Sequence, residues 1–155
     1  MTPGAARGAT PRDRIAAASS RHGEGAVTAA CTALLAGDEV DDELVIALGG
    51  EHATQFLAGR GAEYWGRVWG ARGLLYVWGD EAMPVLVRAS TDSSWRVREM
   101  VAKVVAKRRL DDAASAVARL RGDPVPRVRA AAERALAAVA HGGRAPSRRR
   151  PGSAP

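Results

Sequence analysis

A single cysteine, Cys31, rules out an intrachain disulfide and leaves no second thiol for a zinc site. It stands in "AVTAACTALLAG" at a helical apolar position, which predicts a small buried hydrophobe in a reducing, cytoplasmic setting. Aromatic residues are scarce, seven in 155, and β-branched alternation is scarce with them. Ala, Arg and Gly dominate instead, so sheets are disfavoured and an all-α chain is expected. No apolar run approaches the length of a membrane span, and the N-terminal stretch lacks the apolar core of a secretory signal, so no membrane partner is expected.

Catalytic chemistry is equally thin. His22 and His141 lie towards the ends, and His52 sits directly beside Glu51, whereas two ligands on one helical face need a spacing of three or four. There is no glycine loop followed by Lys-Ser or Lys-Thr and no G-x-S-x-G. The acidic run Asp41, Asp42 and Glu43 points its carboxylates apart on a helix and reads as a cap with a solvated first turn. A non-catalytic protein with no metal and no cofactor is expected.

The net charge of +6 is unevenly spread. Residues 1 to 23 carry four Arg and one Asp, and residues 142 to 155 four Arg and no acid. Both are expected to be disordered basic tails, rich in Gly, Pro and Ser with little to bury. The Pro and Gly residues of the first are expected to break any helix before Ile15. The remainder, residues 24 to 141, is nearly neutral but polarised: residues 24 to 59 hold seven acids and no base, whereas residues 60 to 141 hold fifteen bases and nine acids. That polarity permits head-to-tail self-association.

Within this folded region "TDSSWRVREM" (91 to 100) returns as "GDPVPRVRAA" (122 to 131), pairing Asp92 with Asp123, Val97 with Val128 and Arg98 with Arg129 at an offset of 31. A fixed period of this size signals stacked supersecondary units. Each copy opens a helix: an Asp lies just before it, and Pro124 and Pro126 suit a helix start. Val97, Val101, Val104 and Val105 share one face of the first helix. Val128, Ala131, Ala132, Ala135, Leu136 and Val139 share one face of the second. Each is preceded by a shorter apolar helix, so the unit is a helical hairpin whose apolar face is buried by the next copy. The units fall at about 24–49, a divergent cap, then 50–79, 80–109 and 110–141.

These residues resemble the HEAT repeats, including the HEAT-like repeats of phycobilisome lyases. "MPVLVRASTDSSWRVREMVAKVV" matches with Pro84, Asp92, Val97 and Arg98, and "ASAVARLRGDPVPRVRAAAERAL" with Asp123, Val128 and Arg129. The resemblance implies a short right-handed α-solenoid in which Asp92, Arg98, Asp123 and Arg129 form a structural ladder. In "GGEHATQFLAGRGAEYWGRVWGARGLLYVW" Val68 takes the valine's part, Glu63 replaces the Asp and Trp69 the Arg, so the ladder is expected to break at this repeat. The His-Glu pairs of the iron-dependent HEAT-repeat hydroxylases are absent in that order.

The helix expected from Tyr64 to Trp78 is the most unusual stretch. Trp65, Trp69, Arg72 and Tyr76 make one face, and Gly66, Gly70 and Gly73 another. Three helical glycines predict a backbone or ligand in close approach. Two roles are open for the aromatic face: core pieces, or a concave surface gripping another protein. The reading adopted is an adaptor or scaffold binding another protein through Trp65, Trp69, Arg72 and Tyr76. The alternative partner is nucleic acid, held by Arg96, Lys103, Lys107, Arg108 and Arg134, a basic excess that Glu99 and Glu133 interrupt.

Overall fold

A computed structural model describes residues 8–142. Helix α1 (Pro11–His22) occupies ground expected to be an unstructured tail, and the reason is local. Thr10 caps the helix: the Asp13 amide donates to Thr10 Oγ1 at 3.2 Å, and the Thr10 amide donates back to Asp13 Oδ2 at 3.2 Å. This reciprocal box satisfies two end groups, and Pro11 sits at the first helical position, where its missing N–H costs nothing. Proline therefore starts this helix rather than breaking it. Ile15 and Ala18 are buried, which ties α1 to the fold. Residues 1–7 of that expected tail lie outside the described residues, as does the other expected tail except Gly142, which ends the last helix.

The chain continues through α2 (Glu24–Ala36), α3 (Asp42–Gly49), a short 3-10 turn and α4 (Ala53–Leu57), then α5 (Tyr64–Gly73). Next come α6 (Met83–Ala89), α7 (Trp95–Arg108), α8 (Ala114–Arg119) and α9 (Pro126–Gly142). Helix α5 stops at Gly73, short of the expected Trp78. Leu74, Leu75 and Tyr76 instead donate to the carbonyls of Ala71, Arg72 and Gly73 in a tightened turn. The long helices α5, α7 and α9 lie side by side, the α7–α9 pairing being the most extensive. Helix α2 packs along α5 and also touches α6, while α8 backs α9 and α7. One continuous core runs through them all.

The apolar faces meet as their spacing requires. Val97, Val101, Val104 and Val105 of α7 and Val128, Ala131, Ala132 and Ala135 of α9 are buried, and each buried valine contributes about 1.5 kcal/mol or more through lost apolar surface. The α2–α5 contact is closer than side chains allow. A Cβ on Gly70 would stand 2.6 Å from the Cys31 carbonyl oxygen and 2.7 Å from the Leu35 amide nitrogen, and one on Gly73 would strike Cys31 itself. The neighbour announced by Gly70 and Gly73 is thus α2, its backbone at Gly70 and the Cys31 side chain at Gly73. Cys31 is fully buried, and burial pushes its thiol up to about 12.

Polar contacts lock successive units together. Arg98 donates through Nε to Asp123 Oδ2 at 2.6 Å and through Nη2 to Oδ1 at 3.1 Å, and its Nη1 holds the Asp92 carbonyl at 2.7 Å. Asp123 also accepts from the Val125 amide at 2.9 Å. One unit earlier Arg67 does the same, Nε to Asp92 Oδ2 at 2.8 Å and Nη2 to Oδ1 at 3.2 Å, with the Ser94 amide donating to Asp92 at 2.8 Å. The expected break is therefore corrected. Arg67, Arg98 and Arg129 are each the fourth residue of their helices and 31 apart in sequence, so the valine position is Gly66 and not Val68. Glycine stands there because the Phe56 ring fills the space, 2.8 Å from where a Cβ would be. Arg129 holds the Asp123 carbonyl at 2.7 Å.

Gly70→Ala, which meets backbone, should cost about 1–3 kcal/mol, whereas Gly25→Ala, which meets nothing within 4 Å, should leave stability unchanged or raise it by up to about 1 kcal/mol in urea unfolding. The Arg98 hydrogen bond, foremost, holds the Asp123 carboxyl below its ordinary value. A depressed folded pKa contributes stability above the unfolded pKa that is lost as pH falls towards the folded one. Lowering the pH below about 4 should therefore erode wild-type stability more than that of Asp123→Asn, with little difference between pH 7 and 5. Arg98→Ala, which strands a buried carboxylate, should cost about 3 kcal/mol at pH 7.

Candidate functional site

Helix α5 divides its aromatic residues between inside and outside. Trp69 is 4% exposed. Its ring meets Phe56 edge-on at 5.2 Å between centroids and lies over Gly49, where an added Cβ would come within 2.6 Å. Trp65, one turn earlier, is 37% exposed and lies roughly parallel to Trp69 at 6.5 Å. Tyr76 is 38% exposed in the turn after the helix. Arg72 is half-buried and donates through Nη2 to the Leu48 carbonyl at 2.7 Å. Burial and the nearby Arg14 guanidinium lower its pKa from the usual arginine value.

Three of the four residues expected to bind protein, Trp65, Trp69 and Arg72, line one cavity of about 720 Å³ between α5, the start of α1 and the α3–α4 corner. Tyr76 lies apart from it. Sequence spacing alone missed Arg14, Phe56 and Ile46, which complete the walls. Arg14 comes from the segment read as a tail, and its Nε donates to the Ala47 carbonyl at 3.1 Å. Both arginines thus serve the carbonyls at the end of α3, which its own turns leave without donors.

A second feature crosses the units. The Arg96 guanidinium sits 5.5 Å from the Tyr64 ring centre, 5.6 Å from Trp65 and 4.5 Å from Trp95, and Arg127 sits 5.4 Å from Trp95. Trp65, Arg96 and Arg127 are spaced 31 apart, as are Tyr64, Trp95 and Pro126. The ladder that aligns the helices therefore also stacks these side chains in a column of cation–π contacts, each worth about 0.5–1 kcal/mol at an exposed site.

That column changes the meaning of the basic residues. Arg96 is occupied by aromatic rings. Lys103 pairs with Glu99 at 3.4 Å, and Glu99, itself buried, also meets Arg127 at 3.3 Å. Arg108 donates through Nε to the Leu74 carbonyl at 3.1 Å. Lys107 and Arg134 are exposed. The five cations do not gather into one stripe; three are committed to the fold's own partners. Elsewhere Glu43 meets Arg21 at 2.9 Å, and His52 stays exposed at 3.8 Å from Glu51. Among the described residues no three His, Cys, Asp or Glu side chains gather as a metal site.

A family model for HEAT repeats matches residues 51–137, more than half of the chain. No curated protein and no solved structure matches it. No described helix is long and apolar enough to cross a membrane. The match takes in α5, α7 and α9 together with Arg67, Asp92, Arg98, Asp123 and Arg129. The helices, the period and the family model agree: this chain belongs to the HEAT-repeat family.

Proposed function

We propose that the protein is a non-catalytic adaptor that binds another protein through the aromatic and arginine-bearing surface of α5 and its neighbours. HEAT repeats generally act as protein-interaction scaffolds and are usually non-catalytic, and the fold's exposed large side chains support the same reading here. Trp65 and Tyr76 are among the few large hydrophobic residues left open to solvent, and both are of the type that anchors interfaces. The single observation that carries the proposal is Trp65, exposed yet braced by Trp69 beneath it and Arg96 beside it. A rigid, half-open aromatic loses little freedom when a partner covers it. A cytoplasmic setting fits the lone, buried thiol.

Nucleic-acid binding has less support. A phosphate-tracking surface needs several free cations along one line, whereas Arg96, Lys103 and Arg108 are engaged by rings, a carboxylate and a carbonyl.

The two Trp positions separate packing from binding. Trp69→Ala should cost about 3–5 kcal/mol of stability. Trp65→Ala combined with Tyr76→Ala should keep the helical signal and cost about 1–2 kcal/mol, less than Trp69→Ala, yet reduce affinity for the partner by roughly tenfold or more. Affinity capture from nuclease-treated lysate, followed by binding measurements on the recovered protein, checks this. Recovery that depends on intact nucleic acid, or on salt as steeply as phosphate contacts demand, would contradict it.

A further inference from the structure

Three arginines line the cavity beside α5, Arg14, Arg60 and Arg72, and two of them, Arg14 and Arg72, stand side by side at the end of α3. Arg14 and Arg72 each donate to backbone carbonyls, of Ala47 and Ala9 and of Leu48 respectively, and among the described residues neither pairs with a carboxylate. A guanidinium carries five N–H donors, so both have donors to spare. One of them, Arg72 Nε, is buried with no hydrogen-bond partner among the described residues, and an unmet buried donor of this kind costs about 1–3 kcal/mol. Two like charges are held close together and partly desolvated, an arrangement that an anion would relieve. Glu51 does not supply it: its side chain is 90% exposed at the cavity mouth and faces His52.

The cavity also has an apolar side, next to polar lining from His52, Thr54 and Gln55. Phe56, Trp65, Trp69 and Ile46 form its walls, and about 720 Å³ is in the range of pockets that take a ligand of several heavy groups. We propose that this cavity receives the C-terminal residue of a partner protein, its carboxylate on Arg14 and Arg72 and its apolar side chain against Trp65, Trp69 and Phe56. The proposal rests on the adaptor reading and narrows the partner's chemistry. A carboxylate suits the site because its oxygens can take donors from Arg14 and Arg72 while the apolar side takes the side chain beside it. A chain end suits it better than a free acid, because Trp65 joins the cavity to the column of Arg96, Trp95 and Arg127. A bound chain leaving the cavity along that column passes Arg96, whose charge the ring contacts leave in place, so acidic residues suit the positions before its last one.

The test uses the full chain and the fluorescence of its own tryptophans. The probe is the hexapeptide Ser-Asp-Glu-Asp-Ser-Phe, prepared as the free acid and as the C-terminal amide, with 3-phenylpropionate as a third ligand. The free acid should change the fluorescence saturably, and the amide and 3-phenylpropionate should each bind roughly tenfold more weakly or worse. Arg72→Lys, which keeps the charge but removes the buried Nε donor, should shrink the ratio of acid to amide binding. The wild-type ratio decides alone if that variant fails to fold. Equal binding of acid and amide, or binding of neither, overturns the site, and 3-phenylpropionate binding as tightly as the peptide overturns the chain-end assignment. Nuclease-resistant capture of a protein, lost with Trp65→Ala and Tyr76→Ala, judges the adaptor reading separately and can hold while this inference falls.

Discussion

The arginine at the fourth position of α5 and of α7, reaching the aspartate in the loop of the next unit, is the contact on which the remaining geometry depends. Arg67 crosses to Asp92 and Arg98 to Asp123, each through two donors. Every aspartate is fixed in turn by an amide two residues on. Apolar faces of valine and alanine can slide by a turn at modest cost, but a two-pronged pair with a buried carboxylate cannot. The period of 31 is therefore the distance over which one such pair can be made and the next begun.

What the ladder aligns is not confined to the core. Residues two positions before each ladder arginine also recur at 31, and these are Trp65, Arg96 and Arg127. One internal constraint thus brings an aromatic ring and two guanidinium groups from three helices into one external column. The same helix that exposes Trp65 buries Trp69 four residues later and gives up side chains altogether at Gly70, to admit the backbone of α2, and at Gly73, to admit Cys31. Close approach on one side holds α5 firmly enough for its other side to present rigid aromatic surface. The family's general role in protein interaction and the local shape of this surface point the same way.

Much of this was legible in the residues. The repeat and the helix starts at Trp95 and Pro126 follow from spacing, because buried faces recur with the unit, whereas the pairing of Asp92, Arg98 and Asp123 followed from the resemblance to HEAT repeats. The glycines of α5 announced a close neighbour, although not that it would be α2. Arg67 was missed because the pattern was sought as a Val-Arg pair, and Phe56 had displaced the valine to leave Gly66. Stepping back 31 residues from Arg98 would have found it. Helix α1 was missed because Pro11 was counted as a breaker, when Thr10 and Asp13 around it spell a helix start. Arg14 then went unnoticed, since no periodicity connects it to an arginine 58 positions later. Spacing is equally blind to whether a cation is free: Arg96 reads as one of a basic stripe until the rings of Tyr64, Trp65 and Trp95 are seen around it.

Position-dependent crosslinking tests the central claim, that partners meet this chain at the column around Trp65. A photoreactive benzoylphenylalanine at position 65, and the same group at Asp112 on the exposed approach to α8, would be irradiated in nuclease-treated lysate. The account predicts crosslinks to a defined protein from position 65 and none from position 112. Equal crosslinking from both positions, or adducts that form only when nucleic acid is left intact, would contradict it.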